Sequence, residues 1–272
     1  MKHIFHPTDL TTDGEVAFLH ALRLAVAARG NLTVMHVSPA DKDFERSLPK
    51  ARRTLAAWGL LADGADTAGL RALGVGVKKI MAEGPDPVEA CLNYLDRHPS
   101  DLIVLATHQR GGRMVWGPRP VAEPLARGAG GATLLFPAGR GGFLDPSSGE
   151  VRLQRMLVPV GDGREASSSV EAAVAMARVL QLEALEFVVL HIGEDDAYPH
   201  VVEVGRAGWK WTRMERSGPV VQGILDVAGS ISADLIVMTT HGHDGFLDAL
   251  RGSTTERVLR QAPCPLLSIS SE

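Results

Sequence analysis

Short apolar runs alternate with longer amphipathic stretches along the chain. The runs include "HIFHP", "LTVMHV", "GVKKIM", "DLIVLAT" and "ATLLFP". Runs of this length suit strands that are covered on both faces, as in a parallel sheet. Between the first two runs, Phe18, Leu22 and Ala25 recur at helical spacing and predict a helix over residues 14–29. The alternation therefore predicts an α/β fold.

The same pattern occurs twice. "DLIVLATHQRGG" (101–112) matches "DLIVMTTHGHDG" (234–245) at seven of twelve positions, and "LTVMHV" parallels "FVVLHI". We therefore expect two Rossmann-like, doubly wound domains, each with a five-stranded parallel sheet. The domains are predicted at 1–138 and 153–272, and the Gly-, Pro- and Ser-rich segment 139–152 is predicted to be a linker.

Two further helix starts follow from local sequence. Asp86 precedes Pro87, and Glu89 follows three positions after the aspartate, a combination that begins helices. Gly218-Pro219 stands at the corresponding place in the second copy. We expect a helix to begin at each of these places.

The second copy is shorter after its second strand. The offset between the copies falls from 152–155 residues at the first two strands to 133 at "DLIV". We predict a helix within 45–74 of the first copy that the second copy lacks. "WKWTR" (209–213) alternates as an edge strand would, with Trp209 and Trp211 covering the core left open.

Composition and charge narrow the function. The chain has 272 residues, 45% apolar and 22% charged, with a net charge of −4. This charge provides no basic field for nucleic acid, and no apolar run is long enough to span a membrane. The start of the sequence has no apolar core of a signal peptide, and only Cys91 and Cys264 are present. We therefore expect reduced thiols and a cytoplasmic location.

A glycine-rich stretch, "TTHGHDGFLDALRGSTTERV" (239–258), follows the last "DLIVM". Ser253 and Glu256 form a predicted capping box, so a helix would direct its first N–H groups to the ligand edge of the sheet. Gly252 would let the backbone approach a phosphate, because it has no Cβ. The alternative is an ordinary strand-to-helix connection. Neither G-x-x-x-x-G-K-[ST] nor a first-strand G-x-G-x-x-G is present.

These residues resemble the universal stress protein family. The resemblance rests on "HPTDL", "MHV", "DLIVM" followed by glycine, nine residues and Gly-Ser, and "ERVLRQAPCPLLSI". It implies a five-stranded parallel sheet and, in some members, ATP binding through a Gly-x2-Gly-x9-Gly-Ser/Thr loop. Members of this kind often dimerise through their last strands, so the two copies are expected to pair as a pseudo-dimer.

The resemblance carries the nucleotide site onto the second copy. Phosphates would lie on Gly242 and residues 252–254, and the base near Val160, Asp162 and Ile192. Two departures weaken the match: Thr239 replaces the first glycine, and Asp162 stands one position late. The predicted site residues are Val160, Asp162, Ile192, Thr239, Gly242, Gly252, Ser253 and Thr254.

The first copy keeps part of the pattern and loses the loop. It retains Pro7, Thr8, Asp9 and Val37, whereas Ala106, Gln109, Arg119 and Pro120 stand at the loop positions. Proline offers neither a hydroxyl nor an N–H to a phosphate, and Pro124 removes another donor. We predict that only the second copy binds an adenine nucleotide such as ATP.

Other constellations give weaker hypotheses. A metal site could be formed by His241, His243 and Asp244, helped by His191 or His200, but the spacing matches no known ligand set. On an apolar strand, His191 is more typical of a core histidine. "RGGRMVWGPR" (110–119) could bind an anion or a partner, although such runs are more often solvated loops.

The sequence shows no catalytic set of residues. Ser167–Ser169 has no G-x-S-x-G elbow, and no pair of carboxylates is placed to act as acid and base. The prediction is a cytoplasmic stress-response protein that binds an adenine nucleotide, with no metal beyond nucleotide-associated magnesium. A non-nucleotide interaction scaffold and a weak ATPase remain alternatives, and protein partners and a homodimer remain open.

Overall fold

The structure is a computed structural model that describes residues 1–38, 48–107, 109–110, 113–114, 132–161, 164–193, 198–241 and 254–271. The chain folds into two compact units. The first comprises residues 1–139 and 144–151, and the second comprises 140–143 and 152–272.

The first unit contains a five-stranded parallel sheet. Its strands are β1 (His3–Pro7), β2 (Asn31–Ser38), β3 (Gly76–Glu83), β4 (Leu102–Ala106) and β7 (Ala132–Phe136), and a short antiparallel pair, β5 (Gln109–Arg110) and β6 (Arg113–Met114), follows β4. The sheet order is β3-β2-β1-β4-β7, and every pairing is parallel. The order reverses direction at β1, as in doubly wound folds.

The described part of this unit contains four helices. They are α1 (Thr12–Ala28), α2 (Ala51–Ala57), α3 (Thr67–Ala72) and α4 (Pro87–Arg97). In α1 the predicted face is buried, and in α4 the Asp86 carboxylate accepts hydrogen bonds from the N–H groups of Val88 and Glu89, as predicted. The helix predicted within 45–74 is two short helices, because Gly59 and Gly64 adopt positive φ angles of 69° and 71° between them.

The second unit repeats the sheet. Its strands are β8 (Arg155–Val160), β9 (Leu185–Ile192), β10 (Trp209–Arg216), β11 (Leu235–His241) and β12 (Leu266–Ser271). The helices among its described residues are α5 (Arg164–Val179), α6 (Val220–Ser230) and α7 (Thr254–Leu259). The order is β10-β9-β8-β11-β12, again parallel. Each unit is therefore a doubly wound α/β domain, as the sequence predicts.

Tryptophans occupy the place of the lost helix. Among the described residues between β9 and β10 there is no helix. Instead, Trp209 and Trp211 pack on Phe187 with ring centroids 5.2 and 4.3 Å apart. Both indole N–H groups donate to backbone carbonyls, those of Leu182 and Val204. The predicted edge strand and its covering role are confirmed.

The aspartates of the repeated "DLIV" segments hold the first strand of each sheet. The Asp101 carboxylate accepts hydrogen bonds from the backbone N–H groups of Lys2 and His3. The Asp234 carboxylate accepts from those of Gln154 and Arg155, each at 2.8 Å. The repeat therefore has a structural basis in the frame of both units.

Part of the segment predicted as a linker forms a hairpin on the first unit. Leu144 and Val151 pair in antiparallel fashion, and the Asp145 carboxylate accepts from the N–H groups of residues 147 and 148. The Trp58 indole N–H donates to the Pro146 carbonyl at 3.0 Å. Residues 144–151 thus have a defined conformation packed on α2.

Both cysteines are buried and unpaired, and burial raises the pKa of each thiol to about 12. Within the part of the chain that the structure describes, no helix is long and apolar enough to cross a membrane.

Candidate functional site

An opening is expected between β8 and β11, where the strand order of the second unit reverses. β8 pairs with β9 along all six of its residues, but with β11 only at Met156 and Leu157. The carboxyl-terminal halves of β8 and β11 are therefore not joined. In open α/β sheets, ligands bind at such a reversal, beyond the carboxyl ends of the strands.

Three predicted site residues lie at this edge. Val160 ends β8, Ile192 ends β9, and Thr239 lies two residues before the end of β11. Thr254 begins α7 and is exposed. The other four, Asp162, Gly242, Gly252 and Ser253, lie outside the described residues.

The strand register divides these side chains between the two faces of the sheet. Met156 is the partner of both Leu235 and Phe187, so Thr239, Val160 and His191 share one face. Ile192 follows His191 and therefore lies on the other face, where a Cβ at Gly223 of α6 would lie 2.8 Å from its Cδ1. Val160 is buried, and its carbonyl is within hydrogen-bond distance of the His191 ring.

The hydroxyl of Thr239 is anchored within the unit. Its Oγ1 lies 3.1 Å from Oγ of Ser169 on α5, within hydrogen-bond distance, and Ser169 is fully buried. The threonine side chain therefore lies on the α5 face of the sheet, whereas Ile192 lies on the α6 face. Ser169 was not among the predicted residues. The only signal for it was the serine run Ser167–Ser169 in this helix.

His191 shapes the end of β8. Because a carbonyl can only accept, Nδ1 donates to the Val160 carbonyl, at 3.3 Å. Nε2 is buried without a partner, and a Cβ at Gly193 would lie 2.7 Å from it. His36 makes the same contact in the first unit, to the Thr8 carbonyl at 2.8 Å. These contacts support the interpretation of His191 as a core histidine.

No metal cluster is found among the residues that the structure describes. His200 is exposed. The His241 side chain, His243 and Asp244 lie outside the described residues, so the predicted metal alternative at this loop stays a prediction.

The helix after the glycine-rich stretch is short. Glu256 forms an ion pair with Arg260 one turn later, and both residues follow Ser253, which lies outside the described part. The capping box predicted for Ser253 and Glu256 therefore stays a prediction.

The family model of the universal stress protein family matches residues 1–129 and 203–270. The chain belongs to the universal stress protein family. A universal stress protein of Synechocystis sp. is 27% identical over 143 residues, which are 45% of this chain and 89% of that protein.

Solved structures share the fold. A universal stress protein from Archaeoglobus fulgidus superposes with a TM-score of 0.63 at 18% identity, covering 98% of this chain and 95% of that one. The cytoplasmic domain of a prokaryotic cation chloride cotransporter gives a TM-score of 0.53 at 12% identity, with coverages of 98% and 95%. At these identities the likeness concerns the fold alone.

In the first universal stress unit, the carboxylate at the end of β1 is engaged locally. Asp9 accepts hydrogen bonds from the N–H and the hydroxyl of Thr11, at 3.0 and 2.7 Å. Thr11 is the N-cap of α1, so Asp9 stabilises the start of that helix. Val37 is half-buried near the end of β2, as its match in the pattern predicts.

The loop of the first universal stress unit departs from the pattern where it is described. Ala106 is buried at the end of β4, and Gln109 lies in the short β5–β6 pair. Arg119, Pro120 and Pro124 lie outside the described residues. Nearby, His6 is fully buried, and its burial lowers its pKa to about 4 despite the hydrogen bond to the Val104 carbonyl. The His6 imidazole is therefore uncharged at neutral pH.

Proposed function

We propose that this universal stress protein is a cytoplasmic stress-response protein that binds an adenine nucleotide in its second unit only. The observation that carries the proposal is the strand reversal at β8 and β11, followed in sequence by Gly242, nine residues and Gly252-Ser253. That pattern is the one that the resemblance associates with ATP. The protein acts as a binding protein, not a dedicated enzyme.

The phosphates would lie on Gly242 and on residues 252–254, where N–H groups and hydroxyls suit an anion. The base would lie near Val160, Asp162 and Ile192. Ile192 supplies apolar surface on the α6 face, and the Thr239 side chain lies on the opposite face, against Ser169. These contacts support the fit of a nucleotide despite the missing first glycine. Magnesium would enter only with the nucleotide.

Isothermal titration calorimetry tests the proposal. ATP and AMP are titrated into the wild type, Gly252→Val and Ser253→Ala. Binding by the wild type, abolished by Gly252→Val and weakened by Ser253→Ala, is the expected result. Gly141→Val is the matched control, because a Cβ at Gly141 would meet nothing within 4 Å. No heat from the wild type at high micromolar nucleotide contradicts the proposal.

A second experiment measures the effect of Thr239. Thr239→Gly restores the first glycine of the pattern and should raise ATP affinity several-fold. Ser169→Ala removes the same hydroxyl pair but leaves the threonine backbone as it is, so it should not raise the affinity. Equal affinities for Thr239→Gly and the wild type would show that Thr239 does not limit binding.

A protein-interaction scaffold that binds no nucleotide is the second candidate. Thr239 and the Arg119-Pro120 pair favour it, since both depart from the nucleotide pattern. A partner that the Gly252→Val variant captures as well as the wild type does would support it. Weak ATP hydrolysis is a third candidate, and turnover no higher than that of Ser253→Ala would exclude it. Size-exclusion chromatography with light scattering tests for a homodimer.

A further inference from the structure

A cavity of about 750 Å³ lies in the first unit between α2, α3 and the edge strand β3. This volume falls within the roughly 300–1,000 Å³ of small-molecule sites. We call it the basic cavity, after its four cationic lining residues: Lys50, Arg52, Arg53 and Lys79. It belongs to the first unit, whereas the site proposed for nucleotide belongs to the second.

The charges lining the basic cavity are strongly unbalanced. Asp63 is its one acidic lining residue. Within the described part of the chain, no carboxylate lies within ion-pair distance of Lys50, Arg52 or Arg53. The neighbouring Asp66 is engaged, because its carboxylate caps α3 by accepting from two N–H groups. Lys79 has a partner of its own, and the described lining of the cavity still carries more cationic than acidic side chains, in a chain whose net charge is −4.

Buried apolar residues form the floor of the basic cavity, and a backbone contact positions one of its cationic side chains. Ala51 and Leu70 are buried, and they give the cavity an apolar floor. Nη1 of Arg52 donates to the Ala65 carbonyl at 3.4 Å, which orients the guanidinium. A guanidinium has five N–H groups, so those of Arg52 that this contact does not use can donate paired hydrogen bonds to an anion.

The basic cavity depends on helices that the second unit does not repeat. Both α2 and α3 lie between β2 and β3, and the described residues between β9 and β10 contain no helix. The unit that has lost the nucleotide pattern in its sequence is therefore the one that carries this cavity.

We propose that the basic cavity binds a small organic molecule with two or more phosphate groups. Several separated cations favour a polyvalent anion over a monovalent one, and arginine forks match phosphate geometry. The apolar floor would hold the non-ionic part of the molecule. This proposal does not rest on nucleotide binding by the second unit.

Calorimetry and amide NMR spectra of the full chain, with tripolyphosphate as the probe and inorganic phosphate for comparison, test the proposal. Tripolyphosphate should shift the amide signals of residues 50–79 and bind more tightly than phosphate. Arg52→Gln/Arg53→Gln should weaken tripolyphosphate binding by about tenfold or more, since charge-assisted hydrogen bonds are lost. Arg71→Gln/Arg97→Gln is the control, because it removes the same charge from exposed positions that do not line the cavity.

Three results would overturn the proposal. One is the absence of binding and of shifts at millimolar tripolyphosphate. Another is an equal loss of affinity in both double variants, which would indicate nonspecific attraction. The third is loss of tripolyphosphate binding in Gly252→Val, which would place the probe in the second unit. Retained binding in Gly252→Val supports the basic cavity whether or not the second unit binds ATP.

Discussion

The two units share one frame of hydrogen bonds. Asp101 and Asp234 each accept two N–H groups from the start of the first strand of their unit. Thr107 and Thr240 each donate a hydroxyl to a carbonyl of the last strand, at 3.3 and 3.2 Å. The aspartate and the threonine that recur in the two copies therefore both join strands of their sheet.

The units differ in what covers the frame between the second and third strands. The first unit has α2 and α3 there, and the second has Trp209 and Trp211 on a shorter connection. A sheet face must be covered by apolar surface, but either helices or large aromatic side chains can supply it. The two copies therefore share the hydrogen bonds that join their strands, but they differ in the residues that cover the sheet between the second and third strands.

The largest loss of stability is expected from a substitution where the hairpin of residues 144–151 packs on the end of α2 in the first unit. Gly149 has a φ of +71°, and a Cβ there would lie 2.5 Å from the ring of Trp58 on α2. Gly149→Ala should therefore lower the free energy of unfolding by about 2–4 kcal/mol, through overpacking and left-handed strain. Urea unfolding followed by circular dichroism measures the change.

The control for this variant is Gly64→Ala. Gly64 has the same φ of +71°, but a Cβ there would meet nothing within 4 Å. Only the backbone strain remains, so we expect a loss of about 1 kcal/mol. Equal losses for the two variants would mean that the hairpin does not fix α2.

Removing a tryptophan that covers the sheet of the second unit should cause the next largest loss of stability. Trp211 is stacked on Phe187 and half-buried, so Trp211→Ala should lower the free energy of unfolding by about 2–3 kcal/mol. Lys210→Ala, on the opposite face of the same strand, should change it by less than about 1 kcal/mol, since only an exposed ion pair to Glu186 is lost. A Trp211→Ala protein as stable as Lys210→Ala would show that the tryptophans do not replace the helices.

Removing the aspartate that holds the first strand should cause a smaller loss of stability, of similar size in the two units. Asp101→Ala and Asp234→Ala each leave two N–H groups without their carboxylate, and each should lower the free energy of unfolding by about 1–2 kcal/mol. The two losses should be similar, because the same pair of hydrogen bonds is lost in each unit. Denaturant titration of both variants measures this, and strongly unequal losses would mean that one joint matters far more than the other.

The fold could be predicted because its signals are local. Apolar runs marked the strands, Asp86 marked the start of α4, and the alternating tryptophans marked β10. Each depends on residues only a few positions apart. The helix predicted within 45–74 is present as two short helices, because Gly59 and Gly64 adopt left-handed conformations between them, and composition alone does not reveal those conformations.

The candidate site could be predicted only in part. The family resemblance grouped Val160, Ile192 and Thr239 in one site, and in the structure all three lie at or near the carboxyl ends of neighbouring parallel strands. It could not show that Thr239 pairs with Ser169, since the two are seventy positions apart and their contact depends on helix packing. For the same reason, the sequence predicted residues 139–152 only as a linker and did not reveal the contact between the hairpin of residues 144–151 and Trp58.

The smallest expected effect is a pH dependence at one strand joint. Burial by itself would raise the pKa of Asp101. The N–H groups of Lys2 and His3 and the nearby amino terminus outweigh it and hold this pKa below its ordinary value of 3.8. A carboxyl whose pKa is lower in the folded state stabilises the protein above its unfolded pKa, and that stabilisation is lost as the pH falls through the folded pKa. Asp101→Asn should therefore be less stable than the wild type at pH 7, by no more than about 1 kcal/mol because the group is exposed. The difference should shrink below pH 3.8 in unfolding experiments at several pH values, and a difference that stays constant down to pH 2 would show that the charge of Asp101 does not strengthen the joint.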